Sequence, residues 1–233
     1  MDTSPPRPST AGWIHQLWPR FRRMWLAKML GTTCGMTVFF VAYFQLLKHP
    51  QYPLTIMPLI AADRLVGFQP EALVLYLSLW FYVSLAPAFL TERRELLSYG
   101  VAAVVLSVAG LGIFFFWPTA VPPPEVDWSL HPHFTFLKSI DATGNACPSL
   151  HVAFAVFTAA WSERLLREMG AGVVARTLNW VWCAGILYST MAIRQHVALD
   201  VLAGVALGAA VAFGHIRWVR RTSAPARHRV PEG

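Results

Sequence analysis

The sequence predicts an all-α, polytopic membrane protein: a six-transmembrane-helix bundle. Three observations carry that expectation. Of 233 residues, 55% are hydrophobic and only 13% are charged, about half the charge of a water-soluble domain. Six apolar stretches, at the roughly 20 residues that a bilayer core requires, use nearly the whole chain with their loops. The Lys and Arg residues gather at the ends of those stretches on one predicted side.

Residues 1–23 are rich in Pro and Ser and then basic, with Arg20, Arg22 and Arg23. Trp13, Ile14, Leu17, Trp18 and Phe21 recur at helical spacing. They predict a short helix lying in the membrane interface, interrupted by Pro19. The apolar stretch that follows is too long for a secretory signal and shows no clear cleavage site. The first span covers 24–47. Residues 54–62 are apolar but too short to cross, and predict a re-entrant or surface-lying piece. The second span covers 71–90, and Glu92, Arg93, Arg94 and Glu95 predict a tight charged turn. The third covers 96–117 and stops at Pro118.

Residues 118–147 are the longest polar stretch and carry Glu125, Asp127, His131, His133, Lys138 and Asp141. Connections of that length are often functional. The fourth span starts at Pro148 and Ser149 and ends near Trp161, followed by a charged loop over 164–176. The fifth covers 177–193 and the sixth 197–216. The organisation is therefore a basic N-terminal segment (1–23), a six-helix membrane domain (24–216) and a basic tail (217–233) with the composition of a disordered segment.

An even number of spans puts both termini on one side. Fifteen of the 19 Lys and Arg then share that side, leaving Lys48, Arg64, Lys138 and Arg194 opposite. The positive-inside rule places the termini in the cytoplasm and the active site on the outer face of the cell's inner (plasma) membrane. The net charge of +7 does not indicate nucleic acid, because the chain has neither the motifs nor the patch layout such binding requires. Cys34, Cys147 and Cys183 lack metal-ligand spacing. Cys34 and Cys183 read as packing residues, while Cys147, beside the site, is a candidate reactive thiol.

The candidate chemistry lies in two stretches, Asn145 to His151 and Ser189 to Asp200. His196 and Asp200 are four residues apart, on one face of a helix. A carboxylate about a turn inside a membrane span is a functional hypothesis by default. It can hold one imidazole nitrogen and leave the other as a nucleophile, or simply lock two helices together. His151 follows Pro148 and Ser149, residues suited to a helix start, and a helix N-terminus favours a phosphate. One histidine can attack phosphorus while the other protonates the leaving alkoxide and later activates the incoming water or alcohol. Phosphoryl transfer also needs positive charge on the non-bridging oxygens. The candidates are Arg194, Lys138, Arg64 and the amides near Ser149.

Pro148-Ser149-Leu150-His151 resembles the Pro-Ser-x-x-His motif of the type 2 phosphatidic acid phosphatase superfamily. Ser189 and Thr190, then His196 and Asp200, resemble its last motif, Ser-Arg-x5-His-x3-Asp. The Thr190-Met191 pair, with Tyr52-Pro53 and Asp63-Arg64 before Phe68 and Pro70, is similar to the branch of inositol phosphorylceramide synthases and their bacterial relatives. The resemblance implies a six-helix core, metal-independent and cofactor-free chemistry, and a lipid phosphate or phospholipid substrate. It implies His196 as nucleophile, Asp200 as its orienting carboxylate, His151 as general acid/base and Ser149 in the phosphate pocket. Two basic elements of the pattern are missing. No Lys-x6-Arg-Pro motif lies near the end of the third span, and Thr190 replaces the usual Arg. Arg194 is placed to substitute for one cation, and Lys138 or Arg64 for another.

Phosphatase and head-group phosphotransferase share the phosphohistidine step and differ in whether water or an alcohol resolves it. A transporter with a buried His/Asp relay, or a degenerate family member, is a further alternative. Segments one to five carry no charge at mid-depth, which argues against transport. A zinc site of His151, His196 and Asp200 ranks lower, because the usual His-x3-His helix spacing is absent.

Overall fold

The computed structural model describes residues 12–131, 134 and 144–223. Lys138, His133, Asp141 and the ends of both terminal segments lie outside the described residues.

The described chain is mostly helical, with almost no sheet. Helix α1 (Ile14–Arg22) runs through Pro19 without a break. Pro19 sits in the sixth position, yet the short helix continues past it, where an interruption was expected. Met24, with φ 57°, turns the chain into α2 (Trp25–Lys48). Residues 54–62, expected as a re-entrant or surface-lying piece, hold a two-residue strand, β1 (Thr55–Ile56), and the start of a short helix, α3 (Ala61–Leu65). Strand β1 pairs in parallel with β2 (Thr119–Ala120).

The second apolar stretch is divided at Ser78 into α4 (Ala72–Leu77) and α5 (Leu79–Phe89). Helix α6 (Arg93–Phe116) begins inside the charged cluster, which is therefore a helix start and not a turn. Glu95 lies in its first turn, where a carboxylate meets the positive end of the helix dipole.

Helix α7 (Leu150–Glu168) extends seven residues past the expected end at Trp161. Its charged last turns are held by ion pairs. Arg164 meets Glu95 at 2.5 Å and Glu168 at 2.8 Å, and Arg167 meets Glu163 at 2.6 Å. Helix α8 (Val173–Ala192) starts four residues earlier than expected, at Val173, after a turn at Gly170 (φ 76°). Arg176 reaches Glu163 at 2.7 Å. Helix α9 (Ala198–Ser223) carries Arg217, Arg220 and Arg221 within the helix, where a tail was expected.

Among the described residues, four helical stretches are long and apolar enough to cross a membrane: Trp25–Lys48, Ala72–Phe89, Arg93–Phe116 and Ala198–Thr222. Helices α7 and α8 do not meet that standard. Four charged residues crowd the last turns of α7, and Arg176 and Asn179 dilute α8.

Helix α7 is the centre of the bundle and packs on α5, α6, α8 and α9. One of its faces joins Leu106, Phe114, Phe157, Trp161 and Ala212. The other joins Tyr82, Ala155, Ala159, Cys183 and Ile186. A buried polar link crosses this second layer. The Tyr82 hydroxyl donates to Asn179 Oδ1 at 2.7 Å, and Asn179 Nδ2 donates to Ala159 O at 3.0 Å.

Small residues fix the seam between α7 and α9. A side chain at Gly204 would stand 2.5 Å from Ser149 O, and one at Gly208 would meet the Ala153 backbone. With Asp200 and Ala212 these glycines form an every-fourth-residue stripe, the small-xxx-small pattern that lets two membrane helices approach closely.

Candidate active site

The seam ends where the N-termini of α7 and α9 meet. The Ser149 backbone N–H donates to Asp200 O at 3.0 Å, so the two helix starts are joined directly. Ser149 is the N-cap of α7, and its Oγ accepts from Val152 N at 3.2 Å. The loop before it contains a cis Cys147–Pro148 bond and is anchored by three hydrogen bonds from two sides. Cys147 N–H donates to Thr119 Oγ1 at 2.7 Å, and Ala146 N–H donates to Thr119 O at 3.1 Å. Asn145, with φ 56°, donates from Nδ2 to Tyr43 O at 3.2 Å. Strand β2 and helix α2 thus hold the turn that aims α7.

Asp200 is fully buried and does two things. Its Oδ2 accepts the Val197 N–H at 3.0 Å, the return contact of an acidic residue in the first helical turn. The same oxygen lies 3.5 Å from His196 Nδ1, a separation longer than a hydrogen bond. A carboxylate in this place is supported by the helix dipole as well as by the imidazole. His196 is nearly buried, with 13% of its side chain exposed. Turning Nδ1 toward Asp200 leaves Nε2 as the free ring nitrogen.

The turn between α8 and α9 that carries His196 is unusual. Gln195 N–H and His196 N–H both donate to Thr190 O, at 3.0 and 3.1 Å. Arg194 adopts φ 62° just past the end of α8, a left-handed position that usually belongs to glycine. An L side chain there costs roughly 1–2 kcal/mol. The Arg194 guanidinium donates to Asp63 O at 3.4 Å.

His151 sits in the first turn of α7, half-buried. Its ring stacks on Tyr76 with centroids 3.9 Å apart and 10° between planes, and Trp80 meets its edge at 6.2 Å. Nε2 lies 3.1 Å from Tyr76 O. A carbonyl only accepts, so that nitrogen carries the proton. The two imidazoles lie within electrostatic range of each other.

The structure therefore brings His151, His196, Asp200 and Ser149 to one end of the bundle, with Arg194 beside them. Arg64 is exposed on α3, and Lys138 lies outside the described residues. Thr190 is buried and turns its hydroxyl to Leu187 O at 2.7 Å, so it supplies nothing cationic. Cys147 is not the reactive thiol the sequence suggested. It is buried, and burial, reinforced by the nearby Asp200 charge, pushes its pKa up to about 11. Among the described residues, no group of three His, Cys, Asp or Glu is placed to hold a metal ion.

Residue-by-residue reading missed three contributors. Asp63 is buried, and its carboxylate accepts Ala198 N–H at 2.7 Å and Ile60 N–H at 2.8 Å. It caps α9 from the distant α3, a contact with no local sequence signal. Tyr76, under His151, looks like any aromatic residue of an apolar stretch. The Gly204 and Gly208 stripe was also missed, although its every-fourth-residue spacing is a signal that could have found it.

A family model described as the PAP2 superfamily matches residues 95–224. That span takes in α7, α8, α9 and nearly all of α6, hence both halves of the site. No curated protein and no solved structure matches the chain.

Proposed function

This chain belongs to the PAP2 superfamily, and from that premise we propose an integral-membrane enzyme that transfers phosphoryl groups of a lipid phosphate or phospholipid through a phosphohistidine. Members are generally phosphatases or phosphotransferases. The observation that carries the reading is the meeting of the α7 and α9 N-termini. It sets the His196–Asp200 pair beside Ser149 and His151.

In the first step His196 Nε2 bonds to phosphorus as the bond to the leaving alkoxide breaks, and His151 gives that oxygen a proton. In the second step an incoming hydroxyl gives its proton to His151 and attacks phosphorus, and the N–P bond breaks. As the 3.5 Å contact between Asp200 and His196 Nδ1 shortens to a hydrogen bond, Asp200 holds the tautomer and stabilises the charge that develops on the ring. Because Nε2 of His151 is held at Tyr76 O, Nδ1 is the nitrogen that exchanges the proton. The Ser149 region and Arg194 hold the non-bridging oxygens, helped by Arg64 or Lys138. No cofactor takes part in these steps. The segregation of Lys and Arg supports cytoplasmic termini and an outward-facing site in the plasma membrane.

Water as acceptor makes the enzyme a phosphatase. A lipid alcohol makes it a head-group phosphotransferase of the inositol phosphorylceramide synthase type, a reading favoured by the Thr190-Met191 pair, in which Thr190 stands where the usual motif has Arg.

The test offers purified protein radiolabelled phosphatidate, and separately a labelled phospholipid with diacylglycerol or ceramide. Free phosphate identifies a phosphatase, and a new labelled lipid identifies a transferase. His196→Ala is expected to abolish turnover, and Asp200→Asn to lower it by roughly 100-fold. Vanadate is expected to inhibit and chelators to have no effect. Full activity of His196→Ala would end the nucleophile assignment. Absence of turnover with either substrate would favour a transporter or a degenerate member.

A further inference from the structure

Helices α7 and α9 both start at the candidate active site, so their far ends lie across the bundle from it. Asp200 and Arg217 are separated by roughly 25 Å along α9 at the helical rise, close to the thickness of a bilayer core. At that far end α7, α8 and α9 line a cavity of about 630 Å³.

The cavity is charged on one side and apolar on the other. Five arginines line it, Arg164, Arg167, Arg217, Arg220 and Arg221, against a single carboxylate, Glu163. Its Oε1 is held by two arginines, at 2.6 Å from Arg167 and 2.7 Å from Arg176, while Oε2 is buried without a hydrogen-bond partner among the described residues. Arg217, Arg220 and Arg221 are exposed and have no ion pair among the described residues.

Arg164 is the informative member. It is 13% exposed and ion-paired to Glu95 and Glu168, yet its Nη1 is buried without a hydrogen-bond partner among the described residues. Buried donors of this kind are nearly always satisfied. The guanidinium also lies over the Trp161 ring, 4.8 Å from its centroid, so Arg164 is fixed at the wall of the cavity and adds its charge to that of the exposed arginines. The opposite wall is Trp180, Phe213 and Ile216, which suits hydrocarbon and not a free ion.

We propose that this cavity binds the phosphate head group of an anionic phospholipid in the leaflet opposite His151 and His196. The head group meets Arg164 and the three unpaired arginines, as basic pockets between membrane helices do. The upper part of the acyl chains lies along Trp180, Phe213 and Ile216. The site does not depend on which reaction the other end performs. Because the same two helices carry Asp200, His151 and the arginines, a lipid bound here also braces the seam.

The full-length protein is reconstituted in phosphatidylcholine bilayers containing a minor fraction of phosphatidylglycerol. The lipid retained after extraction into detergent is then counted by native mass spectrometry. Wild type is expected to retain phosphatidylglycerol in preference to phosphatidylcholine. The variant R217Q/R220Q/R221Q, altered only at exposed positions, is expected to retain roughly tenfold less. The single substitutions Arg217→Gln and Arg221→Gln are expected to give partial losses, which keeps the test decisive if the triple variant folds poorly. Soluble glycerol phosphate is expected not to displace the lipid. Equal retention by wild type and these variants would overturn the proposal. So would loss in Arg194→Gln alone, which would assign the lipid to the other end. Displacement by glycerol phosphate would show a site for small anions and overturn the lipid assignment.

Discussion

Helices α2 and α7 answer opposite questions about a membrane protein. Helix α2 is long and apolar enough to cross a bilayer, yet only 6% of its apolar window is buried in the protein. Val38 and Val41 are 69% and 68% exposed, and a side chain added at Gly31 or Gly35 would touch nothing within 4 Å. Helix α7 is too charged to count as a candidate span, yet Leu150, Val152, Ala153 and most residues through Ser162 are buried. Hydropathy reports contact with lipid, whereas burial reports contact with protein. Lipid tails are as apolar as leucine, so α2 loses nothing by facing them, and specific assembly falls to small residues and hydrogen bonds. Ser149 and His151 lie at the head of the helix that hydropathy ranks low, while Asp200 lies on α9, itself a candidate span.

The sharpest test of that contrast is a pair of glycine substitutions. Gly208→Leu drives a side chain into the Ala153 backbone and should cost roughly 3 kcal/mol or more, seen as loss of the monodisperse peak and a large fall in Tm in detergent. Gly35→Leu should leave both unchanged. Similar losses for the two would break the comparison.

Arg194→Gly comes next, because it separates stability from function. Glycine removes the left-handed strain and should raise stability by about 1 kcal/mol. Under the proposed role, turnover of the lipid phosphate should fall by roughly tenfold or more. A stabilised protein with unchanged kcat/KM would remove Arg194 from the phosphate pocket.

A smaller effect is expected from Tyr82→Phe, which deletes the buried hydroxyl that bonds Asn179 between α5 and α8. Leaving that amide oxygen without its donor should cost about 1 kcal/mol, read as a shift in Tm. Val38→Ala on lipid-facing α2 should cost less, although it removes more atoms.

The smallest change is chemical. With its pKa pushed up to about 11, Cys147 has roughly one thiolate in a thousand at pH 8. Its alkylation should be negligible in the folded protein, rise as pH approaches 11, and become complete on denaturation in SDS. Rapid labelling at neutral pH would contradict the burial at the head of α7.

Much of this was legible before the structure. The positions of α2, α6 and α9 follow from long apolar runs. Ser149, His151, His196 and Asp200 follow from local spacing, since each pair lies within one helical turn or one helix start. Boundaries set by ion pairs were not legible. Arg164 and Arg167 read as loop residues because their carboxylate partners include Glu95, on another helix. The break at Ser78 was equally silent, with no Pro or Gly to mark it. Asp63 had a place in a family-like pattern and no role, because its partners Ile60 and Ala198 are joined only when the loop folds over α9.

The sequence by itself determined an apolar helical chain, its charge asymmetry, and the residue types and order of a PAP2-like site. These are properties of short windows, where composition and periodicity dictate helix and solvent preference. Tertiary structure alone decided which helix became central, how Asp63 and Tyr76 frame the histidines, and that five arginines converge at the far end. Such contacts join residues distant in the chain. They depend on how closely two backbones approach, a distance set at Gly204 and Gly208 by the absence of a side chain.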